Sequence, residues 1–327
     1  SQRVQGISNM RSRAGALAVH VYVSEGRDRA LVSRLSSVGA AAGAAIANEF
    51  LDAAYHRAGL TLASTDVDCL EASVGAVCCE ALQSLDLRMH TASHPRVGVV
   101  DHIACNPLGT MTCADAGRLA RRLGCHLGAG DLGTGPAIPV YFYGAAREDG
   151  RALADLRRSL GYFGGAARGE WTGLSEQMAA AMRNLASDVG PPEVNPQYGA
   201  AVVGAVPWVT NYNLLLAGTG LDQAELMIQC RKIARLTGAR GGGLAAVETM
   251  ALPHEHGVEV ACNLLDTSIT PPVEVRARVA RLAEAERLQV VSDYFTNKQP
   301  EEVLAMVEAE ANAALARQNV PSGALPE

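Results

Sequence analysis

The sequence predicts an α/β (α+β) fold made of two ferredoxin-like β-α-β-β-α-β subdomains with a cleft between them. Three observations carry this expectation. Runs that read as strands alternate with amphipathic helical segments, the order β-α-β-β-α-β can be traced twice, and a Pro- and Gly-dense stretch, "SDVGPPEVNPQYG" (187–199), lies between the two series. At 327 residues the chain also exceeds the usual length of one domain. The expected division is an N-terminal extension at 1–13, a first subdomain at 14–190, a second at 191–317 and a tail at 318–327.

The first series opens with "ALAVHVYV" (16–23) as a strand and Arg27 to about Ala45 as a helix. "NEFLDAA" and "AGLTLAS" follow as two strands around a turn, "VDCLEASVGAVCCEALQSLDLRM" (67–89) as a helix and "RVGVVDHIAC" as a strand. A further helix near 112–126 and the strand "AIPVYFYG" (137–144) elaborate this half. The second series runs from the strand in "VTNYNLLLAG" through a helix at 221–236 to strands near "LAAVETMAL" and "GVEVACNLLD". The helix "PVEVRARVARLAEAERL", the strand "QVVSDYF" and an amphipathic helix at 299–317 close it.

Composition narrows the function classes. With 48% hydrophobic and 19% charged residues the chain can bury a sizeable core. The net charge is −6 and no basic run with interleaved aromatics occurs, so nucleic acid is not an expected partner. The longest nearly uninterrupted apolar stretch, "VGAAAGAAIA" (38–47), is far short of the roughly 20 residues that cross a bilayer. Eight cysteines include no CxxC pair, which points to buried thiols in a reducing compartment. "SQRVQGISNMRSRAGA" carries Arg3, Arg11 and Arg13, with no acid before Glu25. It reads either as the remnant beside a removed organellar transit peptide or as an ordinary N-terminus.

Several motif-like strings lack the context their chemistry needs. "GAGDLG" (128–133) has the GxGxxG spelling but follows a helix and precedes a strand, the reverse of a dinucleotide site. "GARGGG" (238–243) lacks the ending of a phosphate loop and is expected to connect helix to strand. His254 and His256 fall at an expected hairpin tip, as a solvated turn. His90 and His94 have the i, i+4 spacing of helical zinc ligands, yet Pro95 disfavours a helix at His94, so no metal is assigned.

The densest concentration of chemistry is "HTASHPRVGVVDH" (90–102). It joins "VSEGR" (23–27), "HPRVGVVD" (94–101), "PVYFYG" (139–144), "DVGP" (188–191), "GAAVVGA" (199–205) and "CNLLD" (262–266), which stand in the order found in glutamate formiminotransferases. Over about residues 14 to 317 the chain resembles that folate-dependent family, which also occurs fused to formiminotetrahydrofolate cyclodeaminase. The resemblance implies transfer of a formimino group from formiminoglutamate to N5 of tetrahydrofolate, the co-substrate, with no metal. It makes His94 the base that takes the N5 proton. Arg96 is then placed beside the cleft to hold a carboxylate. Arg27, Arg57 and Arg147 are further candidates for anion binding, with Arg57 and Arg96 having the stronger motif context.

Departures from the family pattern are concentrated around this site. The stretch "FLDAAYHRAG" is shortened, with Asp52 its nearby carboxylate, His56 in place of an asparagine, and Arg57 kept. Tyr22 stands where an asparagine is usual, "AAR" (145–147) lacks a glutamate, and Asn213 is kept while Leu215 replaces a second asparagine. Acid–base assistance is worth roughly 10²–10⁴-fold, so such losses weigh on rate rather than on folding. The expected function is a depleted, non-catalytic or weakly active accessory subunit of a larger assembly, or a homodimer, on the mitochondrial matrix side and with retained folate binding. The alternative function is an active folate-dependent transferase in which Asp52 or His56 replaces the missing carboxylate; the alternative location is the cytoplasm, and Arg57, Arg96 and Asn213 are the residues expected to bind the folate.

Overall fold

A computed structural model describes residues 15–131, 133, 135–163 and 171–318. The N-terminal extension, with its arginine-bearing stretch, and residues 319–327 of the tail lie outside the described residues.

The first strand, β1 (Ala16–Val23), is buried almost throughout. α1 (Arg29–Ala41) starts where the Asp28 carboxylate accepts from the Leu31 amide. β2 (Ala45–Asp52) and β3 (Arg57–Ser64) form a hairpin, and α2 (Val67–Ser84) is capped by Asp66. The helix expected over 67–89 thus ends at Ser84, and Asp86 caps a separate 3₁₀ turn, Leu87–Met89. β4 (Thr91–Ala92) leads to β5 (Val100–Leu108), then to α3 (Cys113–Ala129), which stops at Gly130 with φ 72°. β6 (Val140–Gly144), α4 (Leu153–Ser159), β7 (Trp171–Thr172) and α5 (Glu176–Asn184) follow.

The first sheet has the order β2-β3-β1-β5-β8-β6, in which β8 is Ala201–Ala205. Its first four strands are the ferredoxin-like unit, with α1, α2 and α3 packed on one face through Leu31, Leu35, Leu70, Val74, Leu119 and Leu123. Each such fully buried side chain contributes about 1.5–3 kcal/mol. β8 runs parallel to both β5 and β6 and lies between them. The expected boundary at 190/191 is therefore displaced: the chain changes sheet after Ala205. The Pro-rich stretch is stitched to the first sheet by bridges from Val189 to Val140 and from Gly199 to Gly98. Turn-forming composition marked bends there, but the apolar "AVVGA" that follows is buried along its whole length and completes the first core.

The second unit comprises β9 (Thr210–Ala217), α6 (Gln223–Thr237), β10 (Val247–His254), β11 (Gly257–Leu264), α7 (Pro272–Ala285) and β12 (Gln289–Phe295). Its antiparallel order β10-β11-β9-β12 repeats that of the first four strands. One face carries Leu214, Leu216, Val258 and Val260 against α6 and α7. The final helix, α8 (Pro300–Gln318), crosses back: Val303, Leu304 and Val307 lie with Ala16, Ala18, Ala45, Ala47 and Ala63 of the first sheet.

The other faces of the two sheets meet in a polar seam. Tyr22 donates to Asn211 Oδ1 at 3.2 Å, and Asn48 Nδ2 donates to the Thr296 carbonyl at 3.0 Å. At one end of this seam Gly26 sits against the β2–β3 turn so closely that a Cβ would lie 2.2 Å from the Asp52 carbonyl and 2.4 Å from the Arg57 amide. Gly26→Ala is expected to cost about 1–3 kcal/mol by overpacking, read as a lowered thermal midpoint. An unchanged midpoint would mean that the turn does not depend on this close approach.

Candidate functional site

The site grows from the β2–β3 turn. Asp52 Oδ1 accepts from the Tyr55 amide at 2.7 Å, which closes the turn, and His56 takes a left-handed φ of 48° to leave it. Arg96 fixes the turn from the neighbouring segment, donating to the carbonyls of Tyr55 (2.9 Å), His56 (3.2 Å) and His94 (2.8 Å). It is 2% exposed, and burial brings its guanidinium down to about 10. The Nη groups of Arg96, expected to hold a ligand carboxylate, donate here to backbone carbonyls.

Arg57 is likewise committed. Its Nη1 lies 2.8 Å from Asp101 Oδ2, and both side chains are buried. Asp101 Oδ1 also accepts from the Val97 amide at 2.6 Å, so the pair ties the hairpin to the segment after His94. The guanidinium carbon sits 4.5 Å from the Tyr22 ring centroid, a cation–π geometry. Tyr22 in turn stacks on His102 at 5.5 Å, and the His102 Nε2 lies 2.7 Å from the Tyr143 hydroxyl. The Tyr22 phenol therefore fills the seam beside Arg57.

His94 lies within this frame. Its Nδ1 is 2.6 Å from the Pro95 carbonyl, an acceptor, and 3.1 Å from Arg57 Nη1, a donor. The first contact calls for a proton on Nδ1 and the second for a lone pair, so either tautomer satisfies one of the two. Burial, then Arg57, then Arg96 hold the imidazole well below its ordinary value of 6.5. Among the described residues no carboxylate pairs with His94.

The two groups expected to assist it are engaged elsewhere. Asp52 Oδ2 is 3.2 Å from His254 Nε2, and His56 lies between the Thr91 carbonyl (2.9 Å) and Glu25 Oε1 (3.0 Å), stacked on His90 at 3.9 Å. Glu25, hydrogen-bonded by His56 and by the Asp28 and Arg27 amides against the opposing effect of burial, is brought down to about 2. Arg147 is remote from this cluster and pairs with Asp149 and Asp188.

Sequence reasoning missed the carboxylate that joins the two units. Glu259, 1% exposed, accepts from the Tyr55 hydroxyl, from Asn213 Nδ2 at 2.8 Å and from the Tyr294 hydroxyl at 2.8 Å. The signal was present in the alternation of "GVEVACN": Val258, Val260 and Cys262 face the helices, which puts Glu259 and Asn263 on the seam. Asn213 is thereby held by Glu259. His254, expected in a solvated turn, is instead the last residue of β10 and joins Asp52, while His256 is exposed as expected.

A cleft of about 460 Å³ opens on the outer side of the turn, lined by Arg27, Ala54, Thr91, Ala92, Ser93, Thr172, Pro253 and His254. His94, Arg57, Arg96 and Asn213 are not among its lining residues. Among the described residues no three His, Cys, Asp or Glu side chains converge in a way that would hold a metal.

A duplicated ferredoxin-like architecture with an HPR segment at the seam defines a two-subdomain α/β protein. Residues 16–206 match the model of the formiminotransferase domain, N-terminal subdomain, and the chain belongs to the formiminotransferase family. It is 39% identical over 291 residues to a formiminotransferase cyclodeaminase-like protein of Arabidopsis thaliana, covering 87% of this chain and 93% of that one. It is 25% identical over 293 residues to the glutamate formimidoyltransferase of Streptococcus pyogenes serotype M1, covering 83% of this chain and 90% of that one. With the formimidoyltransferase-cyclodeaminase of Sus scrofa it shares 27% identity over 281 residues, 85% of this chain and 49% of that protein.

The Asp52–His254 contact makes the junction pH-dependent. The hydrogen bond from Asp52, against opposing burial, raises His254 above its usual 6.5. Its contribution is complete below the unfolded value near 6.5 and is lost as pH rises through the raised folded value. The melting temperature of the wild type should therefore fall over that window more than that of His254→Gln. Parallel pH profiles of the two proteins would refute the assignment.

Proposed function

We propose that this chain does not carry out efficient formimino transfer and serves as an accessory or structural subunit of a larger assembly. The carrying observation is the environment of His94, where burial acts first, the guanidiniums of Arg57, Arg96 and Arg157 are the charged neighbours, and no carboxylate partner is present among the described residues. A general base needs a value near the working pH, and an imidazole held far below it is a weak proton acceptor. Tyr22 supports the same reading, because its ring occupies the seam between Arg57 and His102.

Tetrahydrofolate is the co-substrate that family membership implies, and the seam residues do not fit it. A folate brings a flat pterin and an anionic tail. The Nη groups of Arg96 donate to carbonyls and Arg57 pairs with Asp101, while Asn213 holds Glu259. No step is therefore derived through the folate. The mitochondrial matrix belongs to the same proposal and rests on the basic, acid-free composition of the residues before Glu25.

A second reading, an active transferase, is favoured by the match to the streptococcal enzyme. Purified protein, given formiminoglutamate and tetrahydrofolate and followed for 5-formiminotetrahydrofolate, separates the two readings. The proposal expects no turnover above that of His94→Ala. Turnover lost in that variant would overturn it.

A further inference from the structure

The surroundings of Tyr22 are shaped to take its ring. In the first sheet Tyr22 pairs across to Gly59 on β3 and to His102 on β5. A glycine inside a strand leaves the pleat unfilled and marks a place that something else approaches closely. Gly59 does not take a positive φ, so conformation does not call for a glycine there. Space does: a Cβ at position 59 would stand 2.9 Å from Cε1 and 3.1 Å from Cδ1 of Tyr22, and its three nearest atoms all belong to that ring. The phenol thus fills the place of the side chain that Gly59 lacks. His102 lies parallel to it, with centroids 5.5 Å apart and planes 5° from each other, and the Arg57 guanidinium carbon stands 4.5 Å from its centroid.

The hydroxyl carries the closure across to the second unit. It donates to Asn211 Oδ1 at 3.2 Å, and Asn211 Nδ2 donates on to Asn263 Oδ1 at 2.7 Å. One phenol therefore links β1 to β9 and β11. Tyr22, Asn211 and Asn263 are half-buried, whereas Arg57 and His102 beside the ring are buried. Tyr22 accordingly stands where solvent reaches the seam.

We propose that Tyr22 is the residue that excludes a flat heteroaromatic ligand of the pterin class from the seam. Its ring is a resident substitute for such a ligand: it gives Arg57 a π face, stacks on His102 and offers a donor to Asn211. Removing the ring leaves a slot one aromatic ring thick, in which a pterin takes over the cation–π contact and supplies an N–H to Asn211 Oδ1. The inference rests on the reading that this chain does not transfer efficiently, and it names the group that keeps the co-substrate's ring out.

Fluorescence titration of the full chain with biopterin tests the proposal; the probe is a neutral pterin, so a chance ion pair with a surface arginine plays no part. Wild type and Tyr22→Phe, which keeps the ring, are expected to show no saturable binding at up to about millimolar concentration. Tyr22→Ala and Tyr22→Asn are expected to bind at least about tenfold more tightly. Tyr22→Asn retains a polar group for Asn211 and carries the test should Tyr22→Ala fail to fold. Adding Gly59→Val to either variant refills the slot from β3 and abolishes the gain, which a merely loosened seam would not show. Saturable binding by the wild type, no binding by the folded variants, or a gain that survives Gly59→Val overturns this proposal and leaves the accessory-subunit reading standing. Turnover by the wild type in the formimino-transfer assay overturns both.

Discussion

The buried pair of Arg57 and Asp101 is the constraint on which the rest of the site depends. Two charges at 2.8 Å inside the protein are tolerable only together, because removing one partner leaves the other desolvated, at a cost of about 3–5 kcal/mol. The pair fixes the start of β3 against the segment that follows His94. Once it is formed, the Arg57 guanidinium lies over the Tyr22 ring and against His94 Nδ1. The family's histidine then sits in a positive field, and the phenol at position 22 gains a cation to rest on.

Glu259 plays the complementary part across the seam. It gathers Tyr55 from the first unit with Asn213 and Tyr294 from the second, so its oxygens are satisfied without water. Burial, followed by the charge of Glu259, raises both phenols well above their usual range. Together with α8, which returns from the second unit to the alanine-lined face of the first sheet, this contact makes the junction a packed interface. Chemistry at the seam and cohesion of the two units therefore rest on the same residues.

Much of the fold was legible because each strand and helix writes its own periodicity into the chain. The departures arose where a tertiary partner decided the outcome. "AVVGA" joined the first sheet because a slot between β5 and β6 accepts it, which no local pattern records. At the site, motif order brought Asp52, His56, Arg57, His94 and Arg96 into one neighbourhood. It did not give their orientations: whether a guanidinium faces a ligand or a carbonyl depends on the path of the backbone beside it. His254 and Glu259 were out of reach for another reason, since their partners Asp52 and Tyr55 lie 202 and 204 residues away.

The central claim is that His94 is an imidazole kept neutral first by burial and then by the guanidiniums around it, with no carboxylate partner among the described residues. Nitrogen-15 histidine NMR across a pH titration tests it most directly, because ring shifts report charge. The account predicts a neutral ring at His94 that does not titrate as pH falls through 6.5, the ordinary histidine value. A His94 that gains its second proton at or above that value would contradict it, and would return the histidine to the role of a working base.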